Sequence, residues 1–328
     1  MSAVIVSPLR LSEIAGDAAA AALYVVNFRF ALEATDYLAV EAQSPLLHYW
    51  SLAVEEQFYL VWPLLLLVVV RFLPMRLVGA FLLLLAVASF ALAVYWTDAA
   101  PAWAFYSPFT RAWQLAAGAL IAVGFLRIPG RAPRQTGAVL SVLGLVLIVV
   151  AVVSISEFSW YPGVLAIVPV LGAMLVILAG TSGPNLPSRI LLGNPVSRYI
   201  GRVSYSLYLW HWPLLILVPI AIENDDLGVR LALAGVAFVL AAITTELVEQ
   251  PFRRSGALAV RSRGSIQLGL SASVAVGVVG LLMSGTISIP LPAPQPDPVT
   301  VELAGVRGDL PDHYRDVLLL RVQSQLEY

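Results

Sequence analysis

The stretch His48-Tyr49-Trp50-Ser51-Leu52-Ala53-Val54-Glu55-Glu56-Gln57-Phe58-Tyr59 gathers a histidine, two carboxylates and three hydroxyls. A helix running from His48 puts His48, Leu52, Glu55 and Tyr59 on one stripe. A histidine and a carboxylate then meet, and such a pair can move a proton. Partial burial near lipid raises a carboxyl group toward neutrality, and a neighbouring carboxylate orients and charges the imidazole. The same residues also read as ordinary helix chemistry. Ser51 is then the N-cap, Glu55 and Glu56 sit at the positive end of the helix dipole, and Trp50, Tyr59 and Trp62 form an interfacial belt.

Three more clusters hold polar groups beside apolar runs. In Thr110-Arg111-Ala112-Trp113-Gln114, Arg111 and Gln114 share a helix face, and the arginine can bind phosphate or carboxylate, pair with Glu55 or Glu56, or snorkel. Gly201-Arg202-Val203-Ser204-Tyr205-Ser206-Leu207-Tyr208-Leu209-Trp210-His211-Trp212-Pro213 opens an apolar segment and carries His211 ~13 Å into it. An ionisable group at that depth is either functional or a neutral histidine bonded to a neighbouring helix. Glu246-Leu247-Val248-Glu249-Gln250-Pro251-Phe252-Arg253 closes the next segment; Glu249 there orients Arg202 or Arg253, or forms an ordinary interfacial ion pair.

The elements that must position these groups are membrane spans. Of 328 residues 59% are hydrophobic and 12% charged, and the mean hydropathy is +0.86. Runs of ~20 apolar residues, each enough to cross a hydrocarbon core, recur along the chain. Eight spans are predicted, at 58–71, 77–96, 110–126, 137–155, 161–179, 203–222, 229–247 and 266–288, the first beginning earlier if its helix does. The fold class is therefore an all-α polytopic membrane protein, a bundle of about eight transmembrane helices, and a soluble enzyme is excluded. There is no cysteine, which removes disulfides, thiolate metal sites and cysteine nucleophiles. No metal-ligand cluster stands out either. All basic residues are arginines, and none forms a nucleic-acid patch.

Those arginines fall in alternate connections: Arg71 and Arg76; Arg127, Arg131 and Arg134; Arg189, Arg198 and Arg202; Arg253, Arg254, Arg261 and Arg263. The intervening connections carry Asp98, Glu157, and Glu223, Asp225 and Asp226. By the positive-inside rule the arginine side is cytoplasmic, so the segment before the first span and the tail both lie outside. Arg111 and Arg230 break the pattern at outer span ends. Residues 1–47 form an extracytoplasmic segment in which only Ile14 to Val26 is apolar, interrupted by Asp17. No export signal precedes it. Residues 48–288 form the membrane domain. Residues 289–298 alternate proline with small or polar residues as a semi-rigid linker, and 299–328 form a short extracytoplasmic tail.

Taken in order, the first cluster, Arg111-Ala-Trp-Gln-Leu, Gly201 to Pro213 and Glu249-Gln-Pro-Phe-Arg resemble acyltransferase family 3, as does Tyr24-Val-Val-Asn27-Phe-Arg-Phe ahead of them. The resemblance implies a bacterial inner-membrane enzyme that moves an acyl group, usually acetyl and not aminoacyl, from cytoplasmic acyl-coenzyme A to a hydroxyl of an envelope glycan such as O-antigen or peptidoglycan. Acetyl-coenzyme A is then a co-substrate, with no cofactor permanently bound. It implies His48, Glu55 and Glu56 as catalytic candidates. Trp50, Ser51, Tyr59, Arg111, Trp113, Tyr205, Tyr208 and His211 become substrate-binding candidates. Arg202, Glu249 and Arg253 are candidates for the coenzyme.

Two departures from the family pattern qualify the resemblance. The family begins with about three further spans carrying a basic residue paired with a histidine and then a cytoplasmic arginine pair, and those motifs are absent here. The expectation is a truncated or misplaced start, an uncertain activity for this form, and helices supplied by a partner chain. Longer relatives append an SGNH hydrolase-like domain; its Gly-Asp-Ser and Asp-x-x-His motifs are also absent, so that domain is missing or comes from a partner. A secondary transporter relaying protons through His211, Glu246 and Glu249, and a non-catalytic remnant or binding subunit, are the competing readings.

Overall fold

The computed structural model describes residues 8–33, 44–127, 133–156, 160–181, 186–254 and 262–284. Among them there is no strand. Helices α1 (Pro8–Ala22) and α2 (Val26–Leu32) precede the spans α3 (Tyr49–Phe72) and α4 (Met75–Ala99), the short α5 (Pro101–Tyr106) and α6 (Ala112–Arg127). Then follow α7 (Arg134–Ser154), α8 (Ile167–Thr181), the short α9 (Leu186–Leu191), α10 (Pro195–Ile222), α11 (Leu227–Thr244), the short α12 (Gln250–Arg254) and α13 (Ser262–Met283). Among the described residues six segments are long and apolar enough to cross a membrane, and Ala112–Gly124 and Gln267–Met283 are shorter apolar helices. The protein is thus an all-α, multi-pass membrane protein, and each predicted span coincides with one of α3, α4, α6, α7, α8, α10, α11 and α13. The linker 289–298, the tail 299–328, Glu157, Arg131 and Arg261 lie outside the described residues.

The largest shift in a boundary is at α3, which starts at Tyr49 rather than near 58. Leu47 and Ala53 are buried against Val26, Phe30, Ala31 and Tyr106, so tertiary packing sets the start of the helix ahead of its apolar run. His48, not Ser51, is the residue at the N-cap, and its side chain caps nothing. Farther along, Pro63 lies inside α3, where its missing N–H leaves the Tyr59 carbonyl without the usual helical partner.

Helices α1 and α2 are not an appendage; they belong to the same compact unit as the spans. α1 runs antiparallel along α13, with the Ser12 hydroxyl donating to the Ser284 carbonyl at 2.7 Å and Leu23 beside Gly277. At the crossing a side chain on Gly280 would lie 2.7 Å from the Ala15 carbonyl, so the backbones touch where only glycine fits. Asp17, the break in the apolar stretch, is buried and answered by Arg29 at 2.8 Å and the Ser44 hydroxyl at 2.6 Å. Tyr24 turns the chain from α1 into α2 with φ 56°, a left-handed conformation, and Gln57 of α3 donates to its carbonyl at 2.7 Å. Another close backbone contact joins α7 to α8: a Cβ on Gly144 would sit 2.6 Å from the Gly172 carbonyl, and one on Gly172 2.8 Å from that of Gly144.

Candidate functional site

The N-terminal part of α3 meets the N-terminal end of α6 across a cavity of about 530 Å³. From α3 come Trp50, Ser51, Glu55, Phe58, Tyr59 and Trp62; from α6 and the turn before it come Arg111, Gln114 and Leu115. Their spacing on α3 explains the convergence, since residues three and four apart share a helix face. Tyr59 donates its hydroxyl to Glu55 one turn earlier. The walls are thus unequal: carboxylate and hydroxyls on one helix, a guanidinium and an amide on the other, with tryptophan and phenylalanine between. A hydroxylic ligand can give its proton to Glu55 while its other oxygens meet the donors opposite.

Arg111 is buried, at 9% exposure. Its Nε and Nη2 donate to the Phe105 carbonyl at 3.3 and 3.0 Å, and its guanidinium carbon lies 5.3, 5.2 and 5.9 Å from the ring centres of Trp50, Phe105 and Tyr161. The sequence expectation of a pair with Glu55 or Glu56 is not met; among the described residues Arg111 has no carboxylate partner. Arg230 by contrast takes Asp225 with Nε at 2.7 Å and Nη2 at 2.5 Å. Those hydrogen bonds hold the Asp225 carboxyl below its usual range.

Behind the cavity, α10 locks the start of α3. The Tyr208 hydroxyl donates to the His48 carbonyl at 2.5 Å and lies 2.5 Å from the Ser51 hydroxyl. Tyr208 has one proton, so with it on the His48 carbonyl Ser51 is the donor between the two hydroxyls. His48 itself is 1% exposed, ringed by Tyr49, Tyr208, His211 and Trp212 at centroid distances of 4.5 to 6.2 Å. Among the described residues neither of its ring nitrogens has a hydrogen-bond partner. An imidazolium there would be a buried, uncompensated charge, so the ring is neutral. His48 and Glu55 therefore do not meet, contrary to the stripe read from spacing: His48 precedes the helix and turns toward α10, while Glu55 faces the cavity. His211 Nδ1 lies 3.2 and 2.8 Å from the Leu207 and Tyr208 carbonyls of its own helix, and among the described residues the ring bonds no neighbouring helix. Both carbonyls are acceptors, which puts the proton on Nδ1.

The remaining candidates separate. Trp113 is 8% exposed and packs edge-on against Phe90 at 5.1 Å, while its backbone N–H donates to the Ser89 hydroxyl at 2.9 Å; it is core, not cavity wall. Glu56 lies on another side of α3 from Glu55 and lines a second cavity, about 370 Å³, with Tyr24, Tyr49 and Tyr205. At the other end of α10, Arg202 is paired with Glu246 at 3.6 Å and rests over the Tyr199 ring. Arg253 meets Glu249 at 3.1 Å, and Glu249 also accepts from the Ser206 hydroxyl at 3.2 Å. Asn27 was not singled out by sequence spacing as a site residue, yet it is fully buried, donating to the Tyr106 carbonyl at 3.2 Å and accepting from Gln57 at 2.9 Å. Nor were Phe105 and Tyr161, which stack on Arg111; no local pattern marks residues drawn in from a separate helix and a distant turn. Among the described residues no group of three or more potential ligands could hold a metal.

A bundle of apolar spans whose mostly apolar, aromatic-walled cavity carries a few convergent polar groups is an architecture suited to a membrane-embedded protein that holds an amphipathic ligand. The family model of the acyltransferase domain matches residues 18–246, more than half of the chain, and the chain belongs to that family. It is 34% identical over 264 residues to the peptidoglycan O-acetyltransferase OatA of Listeria monocytogenes, covering 76% of this chain and 42% of that protein. It is 28% identical over 265 residues to YrhL of Bacillus subtilis, with 75% and 41% covered, and 27% identical over 261 residues to SAR0937 of Staphylococcus aureus, with 76% and 43% covered. The chain thus spans less than half the length of these relatives. No solved structure matches it.

Proposed function

We propose that this chain is the membrane core of an O-acyltransferase that moves an acetyl group from cytoplasmic acetyl-coenzyme A to a hydroxyl of an envelope glycan. The similarity to a peptidoglycan O-acetyltransferase favours peptidoglycan as that glycan. The observation that carries the reading is the cavity in which two separate sequence clusters converge, Ser51, Glu55 and Tyr59 facing Arg111 and Gln114. In the step assigned to it, the acceptor hydroxyl oxygen attacks the acyl carbonyl carbon and Glu55 takes the hydroxyl proton. The new ester C–O bond forms as the bond from acyl carbon to the leaving group breaks, and the proton passes to that leaving group. Glu55 has this role because it lines the cavity, whereas the His48 ring is sealed behind it, where Tyr208 holds the His48 backbone carbonyl.

The arginine-rich connections face the cytoplasm of a bacterial cell, and the cavity and the C-terminal tail face outward. Arg202, Glu249 and Arg253 form the coenzyme end. The Arg202–Glu246 pair is exposed on both sides, so phosphate can displace Glu246 at low cost, and the exposed Arg253 guanidinium is open to phosphate while the mostly buried Glu249 stays in place. The test is an O-acetyl assay on envelope glycan from cells deleted for the native gene and complemented with it or with its Glu55→Gln form. The expected loss is ~10²-fold or more at unchanged membrane levels; full acetylation by Glu55→Gln would refute the assignment.

A further inference from the structure

Among the described residues no carboxylate compensates the charge on Arg111. At 9% exposure the guanidinium has one carbonyl oxygen and three ring faces as its described partners. Ring faces and one carbonyl dipole soften the cost of burying a cation without removing its charge. Glu55 shares the cavity but is engaged by the Tyr59 hydroxyl and makes no ion pair with Arg111. One turn on from Arg111, the half-buried Gln114 also lines the cavity, and its side-chain amide has no hydrogen bond among the described residues. Both stand at the start of α6, where the helix dipole adds further positive potential.

We infer that Arg111 and Gln114 form a seat for an anionic group, a carboxylate or a phosphate, carried by the ligand of this cavity. The planar guanidinium fork matches two oxygens of such a group, and the amide N–H₂ offers a further donor. Glu55 makes the cavity dipolar, so an anion is accepted at the Arg111 end and repelled from the other. Seating the charge then fixes which end of the ligand reaches Glu55. The word acceptor for that ligand rests on the acyl-transfer reading; the anion seat does not.

The experiment uses the native gene product in nanodiscs and follows quenching of tryptophan fluorescence, since Trp50 forms one of the faces under Arg111. The probes are a glycan fragment with a free carboxylate, its methyl ester, and the corresponding phosphate monoester. The charged probes bind at least about tenfold more tightly than the ester in the unaltered protein. Gln114→Glu, which sets a carboxylate in the seat, abolishes that preference, and Arg111→Lys, which keeps the charge but loses the fork, reduces it. Preference for the carboxylate identifies a sugar acid or peptide carboxyl as the source, and preference for the phosphate a lipid-carrier headgroup. The inference is overturned if ester and charged probes bind equally, if no charged probe binds saturably, or if the preference survives both substitutions. Charge-selective binding without acetyl transfer to any acceptor would sink the transferase reading and leave the seat standing. Transfer that ignores acceptor charge would do the reverse.

Discussion

Replacing Tyr208 by phenylalanine removes one oxygen and leaves the ring packed between His48 and His211, at 5.3 and 5.4 Å. That oxygen joins two bonds of 2.5 Å, to the His48 carbonyl and to the Ser51 hydroxyl, and so ties α10 to the first turn of α3. Each such bond contributes ~0.5–1.5 kcal/mol net. The His48 carbonyl keeps the Ser51 backbone N–H, at 3.4 Å, and is not orphaned. The expected cost is therefore about 1–3 kcal/mol of stability, with no cavity term. Ser51→Ala removes the other half of the same hydroxyl pair, so the two losses overlap. In a double-mutant cycle on the solubilised protein, the interaction free energy should be about 0.5–1 kcal/mol. Acetyl transfer should fall in Tyr208→Phe as well, because Ser51 lines the cavity and the tie sets its orientation. Strictly additive losses, with transfer unchanged, would refute the idea that Tyr208 positions the wall of the cavity.

Trp113→Ala should destabilise the protein by ~3–5 kcal/mol as a core truncation and leave the KM for the acceptor unchanged in whatever fraction folds; a raised KM would restore its binding role. Gly172→Val should force α7 and α8 apart, costing about 1–3 kcal/mol as a lowered unfolding midpoint, because the added carbons meet the Gly144 carbonyl. Asp17→Asn should cost ~1–3 kcal/mol, since the bond to Arg29 loses its charge while the guanidinium stays partly solvated; urea unfolding of the solubilised protein measures it, and a neutral result would show that α1 is held by its contact with α13 alone.

The spans were legible because hydropathy over ~20 residues is a property of the chain itself, independent of what each helix packs against. The α3 motif and the Arg111–Gln114 face were legible for a similar reason: helical period determines which residues share a face. Period is silent on which faces meet. Glu55 and His48 fit one stripe on paper, yet α10 draws His48 inward and closes it off among aromatic rings while Glu55 keeps the cavity. Trp113 sits between two cavity residues in sequence but points into the core, because one residue along a helix is a turn of ~100°. The short α1 escaped notice as a packed element, its apolar stretch being too short to span and broken by Asp17; only the fold supplies Arg29 and Ser44 to satisfy that carboxylate. The residue types that could do chemistry, and the membrane they sit in, were thus written in the sequence. Which cation lacks a counter-charge and which carboxylate faces a cavity were decided by helices brought together from distant positions, since burial and pairing are relations between segments.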